Sequence, residues 1–267
     1  MIDIGANLAG RQFARDFDKV VEDAYAARVS HILVTGTSLK SSQDAYRLIS
    51  NFNSSHQGQS RCLLYSTAGI HPHDAKTFKG DETLQQLKGL LDQDTVVAVG
   101  ECGLDYDRMF STRSDQLLCF DEQLRLERYY REQCGKMKPV FLHERKAHDD
   151  FIEKLRTHRP RGVVHCFTGS RRQVEEYLSL DMYIGITGWI CDDRRNKELL
   201  SALPQIPLDR LLIETDAPYL APNKGIKRNE PKYLPLVANK IAEVLQVAPE
   251  VVVRHSSANA IQLFQLA

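Results

Sequence analysis

The chain has 267 residues, 42% of them hydrophobic and 26% charged, with 35 Lys plus Arg set against 35 Asp plus Glu. Such a composition excludes wholesale disorder, and with no run of about 18 apolar residues a membrane-spanning helix is not expected. The zero net charge leaves no whole-molecule field to draw in nucleic acid, although a local basic patch stays open.

Short β-branched runs recur along the chain: Ile2–Ile4, His31–Thr35, Leu63–Thr67, Val96–Gly100, Val140–His143, Gly162–His165, Met182–Ile186 and Leu211–Thr215. Between them lie stretches of helical periodicity, such as Phe17, Val20, Val21, Ala24 and Leu117, Phe120, Leu124. Strands alternating with helices predict a parallel sheet covered on both faces, and eight such units predict a closed (β/α)8 TIM barrel of α/β class, residues 1–267 forming one domain. An open doubly wound sheet is the rival, weakened because no G-x-G-x-x-G follows the first strand. The polar stretch Asn51–Ser60 reads as a loop on the bottom face. Met1-Ile2-Asp3-Ile4-Gly5 lacks the basic start of a secretory signal. The six cysteines form no C-x-x-C pair, so reduced thiols and a cytoplasmic location are expected.

In a barrel, chemistry sits where strands end. Those positions here hold Gly5-Ala6-Asn7, His71-Pro72-His73, Glu101-Cys102-Gly103-Leu104-Asp105, His143-Glu144-Arg145, His165-Cys166-Phe167 and Glu214-Thr215-Asp216. Burying several carboxylates and imidazoles together is costly unless a cation pairs with them. Glu101, His143, His165 and Asp216, each from a different strand, are therefore expected to hold a divalent metal. Mixed nitrogen and oxygen donors suit Zn, Mn, or Mg with waters. Strand alternation turns Cys102 and Cys166 away from the ligands, into packing.

Arg145-Lys146, Arg171-Arg172, Arg194-Arg195 and Lys224 to Lys227-Arg228 follow the last four strands and would ring the same mouth, suited to phosphate. Tyr106, Phe110, Phe167, Trp189 and Tyr219 fall there too, where exposed rings would stack unpaired bases.

These blocks resemble the TatD family of metal-dependent deoxyribonucleases. The matching pieces are Ala68-Gly69-Ile70-His71-Pro72-His73, Gly100-Glu101-Cys102-Gly103-Leu104-Asp105-Tyr106, Phe141-Leu142-His143-Glu144-Arg145, Val164-His165-Cys166-Phe167-Thr168-Gly169, Glu214-Thr215-Asp216-Ala217-Pro218-Tyr219 and Arg228-Asn229-Glu230-Pro231, in family order. The resemblance implies a TIM-barrel hydrolase of phosphodiester bonds, a 3′–5′ exonuclease on single-stranded DNA or RNA, suited to DNA repair or RNA turnover. It implies the same four ligands, with Mg²⁺ ahead of Mn²⁺ or Zn²⁺ and one or two ions per chain. Asp216 would be the general base, Glu101 a bridge between ions, and a protonated His71 the phosphate or leaving-group contact. His73, Arg145 and Arg228 would join His71 in binding phosphate.

Many family members carry His-x-His where this chain has Gly5-Ala6-Asn7, so a second ion would be loosely held or completed by substrate. No membrane association and no obligate protein partner is expected, and a monomer suffices. The rival activity is that of a barrel amidohydrolase or phosphoesterase acting on a small molecule. Those enzymes typically need His-x-His on the first strand and often a carboxylated lysine where Glu101 stands.

Overall fold

The computed structural model describes residues 1–56 and 61–267. Eight parallel strands hydrogen-bond in sequence order: β1 Ile2–Ala6, β2 His31–Val34, β3 Leu63–Ala68, β4 Val96–Asp105, β5 Val140–Arg145, β6 Gly162–Val164, β7 Tyr183–Ile186 and β8 Leu211–Ile213. A bridge between Ala6 and Ala217, with Asn7 N–H donating to Ala217 O at 2.7 Å, brings the first strand against the chain just after the last. The helices α1 Phe17–Ala26, α2 Leu39–Ser55, α3 Asp81–Leu91, α4 Arg113–Gln133, α5 His148–His158, α6 Arg171–Leu178, α7 Lys197–Ala202 and α8 Leu234–Leu245 connect and surround the strands, and α9 Pro249–Phe264 ends the fold. The (β/α)8 barrel is the predicted one. Among the described residues no helix is long and apolar enough to cross a membrane.

Alternation along each strand separates two cores. Outward residues such as Ile32, Val34, Val140, Leu142, Ile184 and Ile213 pack under the helices. Inward residues such as Leu33, Val97, Phe141, Val163 and Leu212 fill the barrel, joined by Leu263 and Phe264 of α9, which stopper the end where the strands begin. Burying each such side chain contributes about 1.5–3 kcal/mol.

The stretch expected as a loop is corrected in part. Asn51–Ser55 forms the last turns of α2, while 57–60 lie outside the described residues. A capping box at Ser38 and Ser41 starts that helix, and buried Ala45, Ile49 and Phe52 carry its apolar face onward. The polar residues cost little there because Ser54 and Ser55 donate back to the carbonyls of Ser50 and Asn51 at 2.8 and 2.9 Å.

Candidate active site

Alternation carries the barrel's apolar lining up to a polar mouth. Two residues beyond the inward Phe141, Val163 and Leu212 stand His143, His165 and Glu214. β4 reaches the same level through a register shift between Gly100 and Cys102. Gly100 and Gly103 have φ of 139° and 145°, and a Cβ on them would lie 2.3 Å from Phe141 O and 1.9 Å from His143 O. Only glycine lets β4 pass this close to β5, and that closeness sets Glu101 beside His143.

Three imidazoles converge on one carboxylate oxygen. Glu101 Oε1 lies 2.9 Å from His165 Nε2, 3.1 Å from His143 Nδ1 and 3.3 Å from His71 Nε2. Burial pushes the Glu101 carboxyl up, but His165, His71 and His143 together hold it well below its usual range. Burial opposes charging His165, yet Glu101 and Glu214 raise it well above an ordinary histidine. His143 is also raised, as Asp105 and Glu101 outweigh its desolvation. His71 goes the other way, lowered chiefly by burial. Its Nδ1 accepts the His73 N–H at 3.1 Å, so the ring is neutral with its proton on Nε2. The protonated His71 expected from the resemblance is thereby corrected: a neutral ring offers one N–H, not a charge.

The donor set suits a divalent cation. His71, Glu101 and His143 offer ligand atoms all within 4.8 Å of one another. His143 Nε2 is buried and 3.4 Å from Asp105 Oδ2, close enough for charge attraction but misaligned for a hydrogen bond, and it has no hydrogen-bond partner. The half-buried Asp216 stands at the rim of the cluster, its Oδ1 accepting from Asn7 Nδ2 at 3.0 Å and its N–H donating to Gly5 O at 2.8 Å. Burial, reinforced by Glu101 and Glu214 against the pull of His165, pushes its carboxyl up to about 7. Of the four expected ligands, Glu101, His143 and His165 are thus in direct contact, and Asp216 lies within electrostatic reach of two of them.

Sequence reasoning assigned no role to three further carboxylates. Glu214 is fully buried, its Oε2 3.3 Å from His165 Nδ1 and its Oε1 accepting the Cys166 N–H at 2.6 Å. A Cβ at Gly5 would fall 2.4 Å from Glu214 Oε2 and one at Gly185 2.8 Å from Oε1, so glycines on β1 and β7, which flank β8, make room for it. The space a larger residue at position 5 would need is filled by this carboxylate. Asp105 Oδ2 lies 2.7 Å from His73 Nε2 while its Oδ1 accepts the amides of Asp107 and Arg108, both at 2.9 Å. Asp3, also fully buried, accepts the Thr215 N–H at 2.9 Å and the Thr215 hydroxyl at 2.5 Å, tying β1 to the segment that carries Glu214 and Asp216. Glu214 had a legible signal, since it shares strand parity with Asp216. Cys102 is buried in the outer core, and the half-buried Cys166 meets the Thr187 hydroxyl at 3.7 Å, so both thiols pack as expected.

The basic collar is sorted by its partners. Lys146 pairs with Asp107, Arg172 with Glu176, and Arg194 and Arg195 with Asp192. Arg228 grips Asp16 with both NH groups at 3.0 and 2.6 Å, bonds Glu230 at 2.9 Å and covers the Phe13 ring, so it pins two loops together where a phosphate contact was expected. Arg145 is different. Its side chain makes one hydrogen bond among the described residues, a long one to Thr168 Oγ1 at 3.4 Å, and it lines a groove of about 490 Å³ that also takes in His165. Trp189 shares that groove, with Arg195 at 4.1 Å and Arg145 at 5.1 Å from its ring. Phe167 is buried, whereas Phe110 and Tyr219 are each 57% exposed, Phe110 standing 4.8 Å from the His73 ring.

Comparison with known proteins agrees with this geometry. The profile of the family described as TatD related DNase matches residues 2–265. A protein of Citrobacter rodentium named 3'-5' ssDNA/RNA exonuclease TatD is 43% identical over 99% of this chain and 97% of its own. The crystal structure of a TatD family hydrolase from Entamoeba histolytica superposes with a TM-score of 0.87 at 28% identity, covering 99% of this chain and 97% of that one. A TatD homologue from Escherichia coli superposes at 0.85 with 29% identity, covering 100% and 98%. The chain belongs to the TatD family.

Proposed function

We propose that this protein is a 3′–5′ exonuclease on single-stranded DNA or RNA, a monomer that hydrolyses phosphodiester bonds with a divalent cation, Mg²⁺ ahead of Mn²⁺ or Zn²⁺. The observation that carries the reading is the meeting of His71, His143 and His165 on Glu101 Oε1, beside the groove lined by Arg145. The names of the curated relatives give the substrate and polarity.

Glu101, His143, His165 and Asp216 would hold the cation. Bound there, it supplies a Lewis acid for the phosphoryl group and lowers the pKa of a coordinated water. Gly5 offers no side-chain donor and Asn7 only a neutral carbonyl oxygen, which supports one protein-held ion rather than two. Asp216, at the rim of the cluster where Asn7 holds one of its oxygens, serves as general base toward the attacking water. The His71 Nε2–H, which faces Glu101, donates a hydrogen bond to a phosphate oxygen and keeps its proton. His73, fixed by Asp105, orients His71 through its backbone N–H. Arg145 grips the adjacent phosphate with its planar fork.

The test is degradation of end-labelled single-stranded oligonucleotides with EDTA, Mg²⁺, Mn²⁺ or Zn²⁺, alongside Glu101→Ala, His143→Ala and Asp216→Ala. Stepwise metal-dependent shortening from the 3′ end, lost in all three folded variants, is expected. No cleavage with any metal by folded protein would transfer the site to a small phosphoester or amide substrate.

A further inference from the structure

At the opposite end of the barrel, where strands begin, four arginines converge from four different elements. Arg131 comes from the last turn of α4, Arg159 from the end of α5, and Arg161 and Arg210 from the residues just before β6 and β8. Together they line a cleft of about 420 Å³ in which Asp181 is the one acidic lining residue among those described. Two of the four, Arg131 and Arg210, are answered by nearby carboxylates, which leaves the positive charge of Arg159 and Arg161 unpaired among the described residues.

Ordinary stabilisation accounts for part of it. Arg131 and Arg159 sit at helix C-termini, where the macrodipole favours cations. Arg131 also donates to Glu127 at 2.9 Å and lies 3.2 Å from Glu132. Arg210 lies 5.2 Å over the Tyr183 ring, 3.5 Å from Asp209 and 3.8 Å from Asp181. Neither reason reaches Arg161, and the side chains of Arg159 and Arg161 form no ion pair among the described residues. Their guanidinium groups face the cleft with their hydrogen-bonding forks uncommitted.

We propose that this cleft is a second anion site, remote from the metal cluster, for a phosphate ester bearing at least two negative charges and no larger than a mononucleotide. Several planar forks meeting in one cleft match tetrahedral phosphate oxygens. A single negative charge would answer only one of the two unpaired guanidinium groups, whereas the two or more charges of a phosphomonoester or pyrophosphate answer both. The volume lies in the range of small-ligand pockets. Such a phosphate comes from a free nucleotide or from the phosphorylated end of a strand. The proposal does not depend on the cleavage reaction.

The test is calorimetric titration of protein kept in EDTA with pyrophosphate, a nucleoside 5′-monophosphate, and oligonucleotides with and without a 5′-phosphate. Salt-sensitive binding of pyrophosphate is expected, weakened at least about fivefold in Arg159→Gly and further when Arg161→Gln is added. Arg145→Ala, at the other mouth, should leave it unchanged. Arg159 has φ 46°, a conformation that suits glycine, so Arg159→Gly removes the charge without straining the fold. Mononucleotide binding that weakens in Arg159→Gly, with no gain for the strand from its 5′-phosphate, identifies a soluble ligand; a gain from the 5′-phosphate that is lost in Arg159→Gly identifies a strand end; both support the site. Absence of binding, binding equal in the Arg159→Gly/Arg161→Gln protein, or binding lost in Arg145→Ala would overturn it.

Discussion

Glu214 governs which nitrogen of His165 carries the proton. Both ring nitrogens face carboxylates, Nδ1 toward Glu214 and Nε2 toward Glu101; were a cation to take Nε2, the carboxylate at Nδ1 would keep the one remaining proton there. In Glu214→Gln the amide oxygen must still accept from Cys166 N–H, which turns the NH₂ toward His165 and moves the ring proton to Nε2. Metal affinity should drop by about 10–100-fold, read by titration of Mn²⁺ or Zn²⁺, with the altered tautomer seen in ¹⁵N shifts of the imidazole. Wild-type affinity in that variant would refute the positioning role. Asp3 makes a separate prediction about pH. Its buried carboxyl is raised from 3.8 to about 7, so between those values the unfolded chain has released a proton that the folded chain keeps. Stability is therefore full below pH 3.8 and falls as pH rises toward 7. Asp3→Asn, whose amide can keep the Thr215 contacts, should lose that decline, so its melting temperature relative to the parent should climb across the window. A parallel pair of melting curves would sink the assignment. The ligand-type residues Glu101, His143, His165 and Asp216 were legible because each ends a strand of a barrel. Asp3 and Asp105 were not, because their meaning lies in partners 212 and 32 residues away; Glu214 shows only its strand parity, and its role comes from His165, 49 residues away.

The strands themselves were legible as short apolar runs, but their ends depended on what the neighbouring strand allows. β4 was expected to stop at Gly100 and instead runs to Asp105, since paired glycines let it follow β5 for another turn of the ladder. β6 and β8 stop earlier than their apolar patterns imply, at Val164 and Ile213, leaving His165 and Asp216 on irregular backbone where their side chains are free to turn into the mouth. Helix α2 overran its expected end because serine hydroxyls satisfied themselves on its own carbonyls, a local bond that composition does not reveal. The close passage of β4 past β5 is testable. Gly103→Ala places a methyl 1.9 Å from His143 O, on a φ that alanine resists, and must push β5 aside. A loss of about 2 kcal/mol or more in urea unfolding is expected, together with loss of cleavage, because the same shift separates His143 from Glu101. Parental stability in the Gly103→Ala variant would show that the two strands are not held so tightly.

The whole barrel has an open end and a filled one. Phe141, Val163 and Leu212 occupy its interior, and Leu263 and Phe264 of α9 lie beneath them, so the molecule is built as a cup rather than a tube. Phe264→Ala should cost about 3–5 kcal/mol in thermal or chemical denaturation. For an enzyme that shortens strands from one end, the cup has a kinetic meaning. The chain cannot be threaded through the protein as through a ring, and each released nucleotide must back out by the door through which the next one enters. Between cuts the shortened strand keeps its hold only through groups around the mouth, with Arg145 and Trp189 foremost. If the proposed strand-shortening activity is this protein's, digestion should be distributive, each molecule of enzyme letting go after a few residues, so that a population of oligonucleotides shrinks in step; full-length strands persisting beside end products would overturn that.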